Sequence, residues 1–245
     1  MRIAIVLIAV LLVGPGRVEG GSYHWPMAAS PALTSTFGEY RSGRFYARSG
    51  RFHAGIDLKT WGREGYAVLA VDDGYVWRVR TSPWGYGKAV YVKLRDGRTA
   101  VYAHLSAFVP AIADLVEAEQ ERRGTYSVTL FLKPNQIPVN RGERVGFSGR
   151  TGTGVAHLHF ELRDENQRPL NALAHGFEVE DTTPPTLRLL ALLPMDADAR
   201  VSGGHDPHVF GVRWRPKQQR YGSSAQIVVE GRIGVAVEVY DRADA

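Results

Sequence analysis

The sequence predicts a mainly β protein. An antiparallel β-sheet domain of the barrel-sandwich kind carries one short inserted helix and precedes a partial immunoglobulin-like β-sandwich. Two observations predict the first part: short alternating apolar and polar runs separated by glycine turns between Tyr66 and Leu105, and helical periodicity over residues 110–123. Strand-like runs that resume after residue 185 predict the second part. The predicted organisation is a leader over residues 1–20, a first domain over 21–181 with an insertion at about 107–140, and a second domain over 182–245.

Residues 1–20 predict a secretory signal. Arg2 is followed by an apolar run over residues 3–13 and then by small residues before Gly21. The run is too short to span a bilayer as an ordinary helix, and an uncleaved N-terminal anchor is the alternative. The chain has no cysteine, which excludes disulfides and the lipidated cysteine of a lipoprotein leader. The predicted location is therefore periplasmic or secreted.

The composition is that of a globular protein, with 44% hydrophobic residues. The formal net charge of +5 at pH 7 favours contact with an anionic surface such as a cell wall. No nucleic-acid partner is predicted.

Within the first domain, residues 88–94 and 99–105 predict a β-hairpin. Strand periodicity would carry Tyr102 and His104 on one face of its second strand. Tyr102 is a candidate cleft residue on that basis, although an aromatic residue on a strand lies more often in the core. The helix over residues 110–123 should begin at Pro110 and end at Gly124. A further strand is expected within residues 126–132.

Residues 38–52 carry four arginines among glycines and aromatic residues. They predict a surface loop that leads into the candidate site residues His53 and Asp57. Arg48 or Arg51 is a candidate contact for substrate carboxylates, for which a guanidinium group is suited. The alternative is solvated loop charge.

The second domain is expected to follow a linker at residues 181–185, where two prolines favour an extended chain. Strands are expected at residues 187–192, 208–212 and 227–240, the pattern of an immunoglobulin-like sandwich. Three or four strands do not close a sandwich, so we expect the chain to be part of a longer protein. This domain is the candidate contact for a cell-wall or envelope partner.

Histidines and carboxylates occur in two short motifs, His53-Ala-Gly-Ile-Asp57 and His157-Leu-His159-Phe-Glu161, with His104 between them. A strand sends side chains i and i+2 to the same face, so His157 and His159 should point together. Zinc favours imidazole nitrogen and carboxylate oxygen, and a catalytic site uses three protein ligands with an open fourth position. The two motifs and His104 together predict a mononuclear zinc site in which three residues bind the ion and the others are available for proton transfer.

The two motifs, with Tyr-Ala-His-Leu-Ser at residues 102–106 between them, occur in an order that resembles that of the lysostaphin/LytM-type zinc metallopeptidases. The resemblance covers roughly residues 33–172. It implies one Zn²⁺ per chain, bound by His53, Asp57 and His159. It also implies that His104 and His157 flank the zinc-bound water and the scissile carbonyl, and their separate roles stay open.

Glu161 shares a face with His157 and His159 on the predicted strand, and it is a candidate hydrogen-bond acceptor that orients an imidazole. A carboxylate at a strand end is the alternative.

The function implied by the resemblance is an exported zinc endopeptidase that hydrolyses peptide cross-links of peptidoglycan. Its partners would be peptidoglycan stem peptides, with cross-links that contain D-residues as the leading substrate. The alternative is a non-catalytic LytM-type protein that activates a cell-wall amidase. Such relatives typically lose ligands, and the presence of all five site residues here favours an enzyme.

Overall fold

The computed structural model of the chain describes residues 23–29, 31–41, 50–179, 184–224 and 226–240. The predicted leader, Arg48 and most of the predicted linker lie outside the described residues. The chain divides after Val179 into two compact units.

The first unit is built from short strands and one α-helix. Its strands before the helix are β1 (Leu33–Ser35), β2 (Tyr40–Arg41), β3 (Arg51–Phe52), β4 (Ile56–Lys59), β5 (Ala67–Leu69), β6 (Gly74–Arg80), β7 (Lys88–Leu94), β8 (Thr99–Leu105) and β9 (Ala107–Phe108). The helix α1 (Pro110–Arg123) is followed by β10 (Thr129–Phe131), β11 (Pro138–Val139), β12 (Arg144–Phe147), β13 (His157–Arg163) and β14 (Pro169–Leu170). A single 3-10 turn, Ala172–Ala174, follows β14.

Two antiparallel sheets and the separate β2–β3 pair form the described part of this unit. The main sheet has the order β1-β4-β13-β8-β7-β6-β10, with β11 added to β6 and β14 added to β13. A smaller sheet has the order β5-β12-β9. The prediction of a mainly β, antiparallel fold with a short helix is confirmed.

The core lies on one face of the main sheet. Leu158, Phe160 and Leu162 of β13 are completely buried there, and Val68 and Val145 of the smaller sheet belong to the same cluster. Because side chains alternate along a strand, His157, His159 and Glu161 lie on the opposite face of β13. The apolar half of the alternation therefore fixes the strand in the core, while the polar half forms a site.

The hairpin and the helix follow their sequence signals. Strands β7 and β8 coincide with the two predicted hairpin segments. The helix α1 has Pro110 in its first turn and ends at Gly124, whose φ of 61° is readily adopted by glycine. Ile112 and Val116 of α1 are buried in the core cluster, which anchors the helix to the first unit.

The second unit is a smaller β structure. Its strands are β15 (Thr186–Pro194), β16 (Arg200–Val201), β17 (His208–Gly211), β18 (Arg213–Arg215), β19 (Arg220–Gly222), β20 (Val229–Glu230) and β21 (Ile233–Tyr240). Three of them form a sheet in the order β17-β15-β21, and β16-β20 and β18-β19 form separate pairs. Leu192, Val201 and Phe210 form a small buried apolar cluster in this unit. The immunoglobulin-like sandwich stays a prediction.

One strand of the second unit differs from its prediction. The run expected over residues 227–240 is divided into β20 and β21, because Gly231 has a φ of 71° between them.

Among the described residues, no helix is both long enough and apolar enough to cross a membrane.

Candidate metal centre

The register of the main sheet brings the His53–Asp57 and His157–Glu161 motifs together. In the pairing of β4 with β13, Asp57 lies opposite His159 and Lys59 lies opposite His157. His53 lies in the segment that leads into β4. A Cβ atom at Gly55 would lie 2.1 Å from the carbonyl oxygen of Phe160, so this segment can run against β13 only with a glycine at that position.

Three donor atoms converge at the centre of this arrangement. Asp57 Oδ1 lies 3.1 Å from His53 Nε2 and 2.8 Å from His159 Nδ1, and the two nitrogens are 3.0 Å apart. All three side chains are buried. A tetrahedral ion with bonds of about 2.0–2.1 Å holds its donors roughly 3.3 Å apart. The spacing and the chemistry of the donor set therefore fit a zinc ion after a small expansion.

The hydrogen bonds around the cluster fix which ring nitrogen faces it. His53 Nδ1 lies 2.8 Å from the carbonyl oxygen of Thr36, and His159 Nε2 lies 2.9 Å from Glu161 Oε1. Since an acceptor outside the cluster can take the N–H in each case, His53 Nε2 and His159 Nδ1 would present lone pairs to an ion at the centre, whereas without an ion they lie within hydrogen-bonding distance of Asp57 Oδ1. Burial alone would raise the pKa of Asp57, but hydrogen bonds from His159 and His53 outweigh it and hold the pKa far below its usual range.

Glu161 lies at the centre of a buried polar network behind His159. Its side chain is completely buried and accepts hydrogen bonds from His159, the Tyr86 hydroxyl and Arg163, whose Nε lies 2.6 Å away. Burial raises the pKa of Glu161, but the hydrogen bond and charge of His159 and the charge of Arg163 outweigh it, so the pKa falls below its usual value. The carboxylate is therefore ionised at neutral pH.

Arg41 holds the other oxygen of Asp57. Its Nη2 lies 2.6 Å from Asp57 Oδ2 and 2.7 Å from Ser35 Oγ. Asp57 thus directs Oδ1 to the cluster and Oδ2 to a guanidinium group. Because this divides the carboxylate between two partners, a metal would find one oxygen of Asp57 rather than two.

His104 and His157 face each other beside the three donors. Their ring centroids are 4.6 Å apart, and His157 Nε2 lies 3.6 Å from Asp57 Oδ1. The Nδ1 atom of His104 lies 2.9 Å from the Thr151 carbonyl oxygen, and that of His157 lies 2.9 Å from the Val155 carbonyl oxygen. Each ring therefore donates through Nδ1 and leaves its Nε2 as an acceptor.

Both of these imidazoles are neutral at pH 7. Burial, and then the charge of His157, lower the pKa of His104 from 6.5 to about 3. Burial also lowers the pKa of His157, although the nearby Asp57 carboxylate opposes that shift. The five residues thus combine a metal-binding cluster with two proton acceptors.

Comparison with known proteins shows the family of this chain. Residues 51–121 match the sequence model of peptidase family M23. The DD-carboxypeptidase/endopeptidase Mpg of Neisseria meningitidis serogroup B is 30% identical over 190 residues, which cover 76% of this chain and 37% of that protein. The chain belongs to peptidase family M23. It spans little more than a third of the length of this relative.

Other relatives of this M23 chain carry different names. The murein hydrolase activator NlpD of Escherichia coli K12 is 28% identical over 142 residues, which cover 58% of this chain and 28% of that protein. Among solved structures, a zinc-containing peptidase from Vibrio cholerae is 25% identical, covers 62% of this chain and 39% of its own, and has a TM-score of 0.43. The catalytic domain of lysostaphin from Staphylococcus simulans is 21% identical, covers 58% of this chain and 89% of its own, and has a TM-score of 0.39.

The prediction that Tyr102 lines the cleft of the M23 domain is wrong. Tyr102 is completely buried on the core face, where its ring contacts Phe160 and its hydroxyl accepts a hydrogen bond from the Val71 amide. The reason is the backbone at His104, whose φ of 61° interrupts the strand alternation. This turn of the chain directs the His104 imidazole to the site while Tyr102 stays in the core.

The contact that the sequence assigned to Arg51 stays a prediction. Arg51 lies exposed on β3, where it pairs in register with Arg41 of β2. The guanidinium that contacts the cluster is that of Arg41. The sequence did not single out Arg41, Tyr86 or Arg163 as site residues. The repeated arginines of residues 38–52 were the signal for Arg41. Nothing local marks Tyr86, which lies 75 residues from its partner Glu161.

Proposed function

We propose that this M23 chain is an exported zinc-dependent endopeptidase that hydrolyses peptide cross-links of peptidoglycan. The observation that carries the proposal is the convergence of His53 Nε2, Asp57 Oδ1 and His159 Nδ1 beside two neutral imidazoles. As part of it, we propose a leader over residues 1–20, a peptidase domain over 21–181 and a second β domain over 182–245. The second domain is the proposed contact for an envelope partner.

His53, Asp57 and His159 would hold one zinc ion per chain. Two imidazoles and one carboxylate form a donor set that leaves a fourth position open, as catalytic zinc sites require. When bound, zinc supplies a Lewis acid that lowers the pKa of water toward neutrality and polarises a peptide carbonyl. Glu161 fixes the tautomer of His159, and Arg41 leaves a single oxygen of Asp57 for the ion.

His157 is the proposed general base. Its Nε2 is unprotonated and close to Asp57, whose negative charge stabilises the imidazolium that forms when His157 accepts a proton from the attacking water. The protonated His157 can then pass that proton to the leaving amine. The Val155 carbonyl holds the ring in one orientation throughout.

His104 is the proposed water-positioning residue. A pKa of about 3 keeps its imidazole neutral during the reaction, so that Nε2 accepts a hydrogen bond without taking the proton. The two histidines have the same hydrogen-bonding pattern, and they receive different tasks because His157 lies 3.6 Å from the Asp57 carboxylate, which stabilises a protonated His157 ring.

Peptidoglycan stem peptides are the proposed substrate class. The support is membership of family M23, the relative named DD-carboxypeptidase/endopeptidase, and a predicted leader that would export the chain. The mildly basic composition is suited to an anionic envelope.

A non-catalytic activator of a murein hydrolase is the second candidate, because NlpD is among the relatives. The candidate predicts that an incomplete metal cluster or proton-transfer pair would be tolerated. The described residues include all five positions, and each of the four imidazoles has a hydrogen-bond acceptor on its outward nitrogen. This retention favours the enzyme.

The test is digestion of purified cross-linked peptidoglycan by zinc-loaded protein from Gly21 onward, with the products identified by mass spectrometry. We expect loss of cross-linked dimers, abolished by a chelator and restored by added zinc. The absence of products from protein with one zinc per chain, together with stimulation of a cell-wall amidase, would overturn the proposal in favour of the activator.

A further inference from the structure

Lys59 lies on the site face of the main sheet, directly next to the proton-transfer pair. It is the residue of β4 opposite His157, and residues directly opposite in an antiparallel pair project from the same face. Its backbone amide donates to the Ala32 carbonyl oxygen, so the residue is held between β1 and β13. The side chain is half-buried. A lysine is thus placed beside His157, the proposed general base.

The surroundings of the Lys59 ammonium group are aromatic rather than acidic in the part of the chain that the structure describes. Among the described residues, Lys59 Nζ forms no ion pair, and it lies over the Trp61 ring, 5.8 Å from the ring centroid. Glu64, the acidic residue that follows Lys59 along the chain, is 2.9 Å from Arg150. Asp57 is already engaged by Arg41 and the cluster. A half-buried cation without a carboxylate partner is suited to accept one from a ligand.

Trp61 is held in an uncommon backbone conformation that presents its ring beside Lys59. The amide of Arg63 donates to the Thr60 carbonyl oxygen, and both central residues of this turn have positive φ, 50° at Trp61 and 75° at Gly62. Such a turn favours Asn-Gly or Gly-Gly, and a bulky aromatic residue at its first central position is unfavourable. Strain of this kind is often found at ligand-binding sites. The Trp61 side chain is also 49% exposed.

We propose that Lys59 and Trp61 form a subsite for a free carboxylate of the substrate, adjacent to the scissile bond. Lys59 supplies the charge, and the Trp61 ring packs against the aliphatic part of the same substrate residue. The subsite rests on the proposed function and adds to it, since it selects stem peptides that carry an unblocked carboxylate next to the bond that is cut.

The test compares two synthetic stem peptides that differ in one group, a free C-terminal carboxylate or a C-terminal amide. We expect wild-type protein to hydrolyse the carboxylate peptide with a kcat/KM about tenfold higher or more, the effect of one charged hydrogen bond. Lys59→Met should reduce this preference to within about twofold by slowing only the carboxylate peptide, whereas Lys59→Arg should retain most of it.

A matched control comes from the same sheet. Lys93 on β7 is also half-buried, and its Nζ lies 5.3 Å from the centroid of the Trp77 ring. Lys93→Met removes a similar lysine and tryptophan pair and should leave the preference unchanged. Equal zinc content and equal melting temperature of Lys59→Met and wild type would show that the substituted protein keeps its fold and site.

A binding measurement separates failure of the subsite from failure of the proposed function. Calorimetric titration with the two peptides, carried out on the same zinc-loaded proteins, reports carboxylate recognition without turnover if no hydrolysis occurs. Tighter binding of the carboxylate peptide by wild type than by Lys59→Met supports the subsite even in a protein that cuts nothing. Hydrolysis with the same preference in wild type and Lys59→Met would overturn the subsite and leave the peptidase proposal standing.

Discussion

Substitution of Glu161 by glutamine removes one negative charge from the buried network that holds the His159 imidazole. Glu161 accepts hydrogen bonds from three donors, on His159, Tyr86 and Arg163. Glutamine keeps the shape of the side chain, but its NH₂ group donates and cannot accept, so at least one of these hydrogen bonds is lost. We expect the His159 ring to lose its fixed tautomer. Zinc binding should then weaken, since His159 Nδ1 carries the proton part of the time and cannot bind the ion in that tautomer.

The size of the effect follows from two contributions. Loss of a residue that orients a metal ligand typically costs about 10–100-fold in metal affinity or activity. At about 1.4 kcal/mol for each factor of ten, this is roughly 1.4–2.8 kcal/mol of zinc-binding free energy. Removal of one partner from a buried ion pair costs about 3–5 kcal/mol of folding free energy. Because the Arg163 side chain is 17% exposed, we expect the lower end, about 3 kcal/mol.

The assay is competition for zinc against a chromophoric chelator at pH 7, with urea unfolding of the metal-free protein measured in parallel. Glu117→Gln is the matched control, because Glu117 is an exposed glutamate on α1. We expect wild-type zinc affinity and stability from the control. A Glu161→Gln protein that binds zinc within twofold of wild type would refute the argument that Glu161 positions His159.

Three further predictions concern the other site residues. His159→Ala should lose both zinc and hydrolysis, whereas His157→Ala should keep zinc and lose hydrolysis, as measured by metal analysis after dialysis and by peptidoglycan digestion. Because the pKa of His104 is lowered from 6.5 to about 3, the unfolded chain binds more protons than the folded chain between these values, and stability falls as pH falls through that range. Urea unfolding of metal-free His104→Asn from pH 7 to pH 4 should show a smaller decline than wild type. Gly55→Ala should lower stability by about 1–3 kcal/mol in thermal unfolding, because its Cβ would lie 2.1 Å from the Phe160 carbonyl oxygen, and an unchanged melting temperature would contradict the close approach.

The sequence predicted best the features that depend on local pattern. The alternation of β13, the limits of the β7–β8 hairpin and the ends of α1 were all visible, because each depends on neighbouring residues or on a terminal Pro110 or Gly124. The spacing of His157 and His159 placed both on one face for the same reason.

The features that the sequence did not predict depend on contacts between distant segments or on a single backbone angle. The positive φ of His104 separates its side chain from that of Tyr102, and no residue type in that strand signals it. The donors to Glu161 include Tyr86, which the fold brings from a loop between β6 and β7. The contact between Arg41 and Asp57 depends on how the β2–β3 pair lies against β4. Periodicity carries no information about these arrangements.

The outward N–H groups of three site histidines are held by main-chain carbonyl oxygens, at Thr36, Thr151 and Val155. Every amino acid supplies such an oxygen, so the proton pattern of these rings is set by the path of the chain and not by the side chains of the acceptor residues. Val155, which is 68% exposed, can therefore change its side chain while its oxygen stays in place. Drift in the sequence at such a position would leave the chemistry intact, whereas a one-residue insertion or deletion in the same loop would change which ring nitrogen carries the proton.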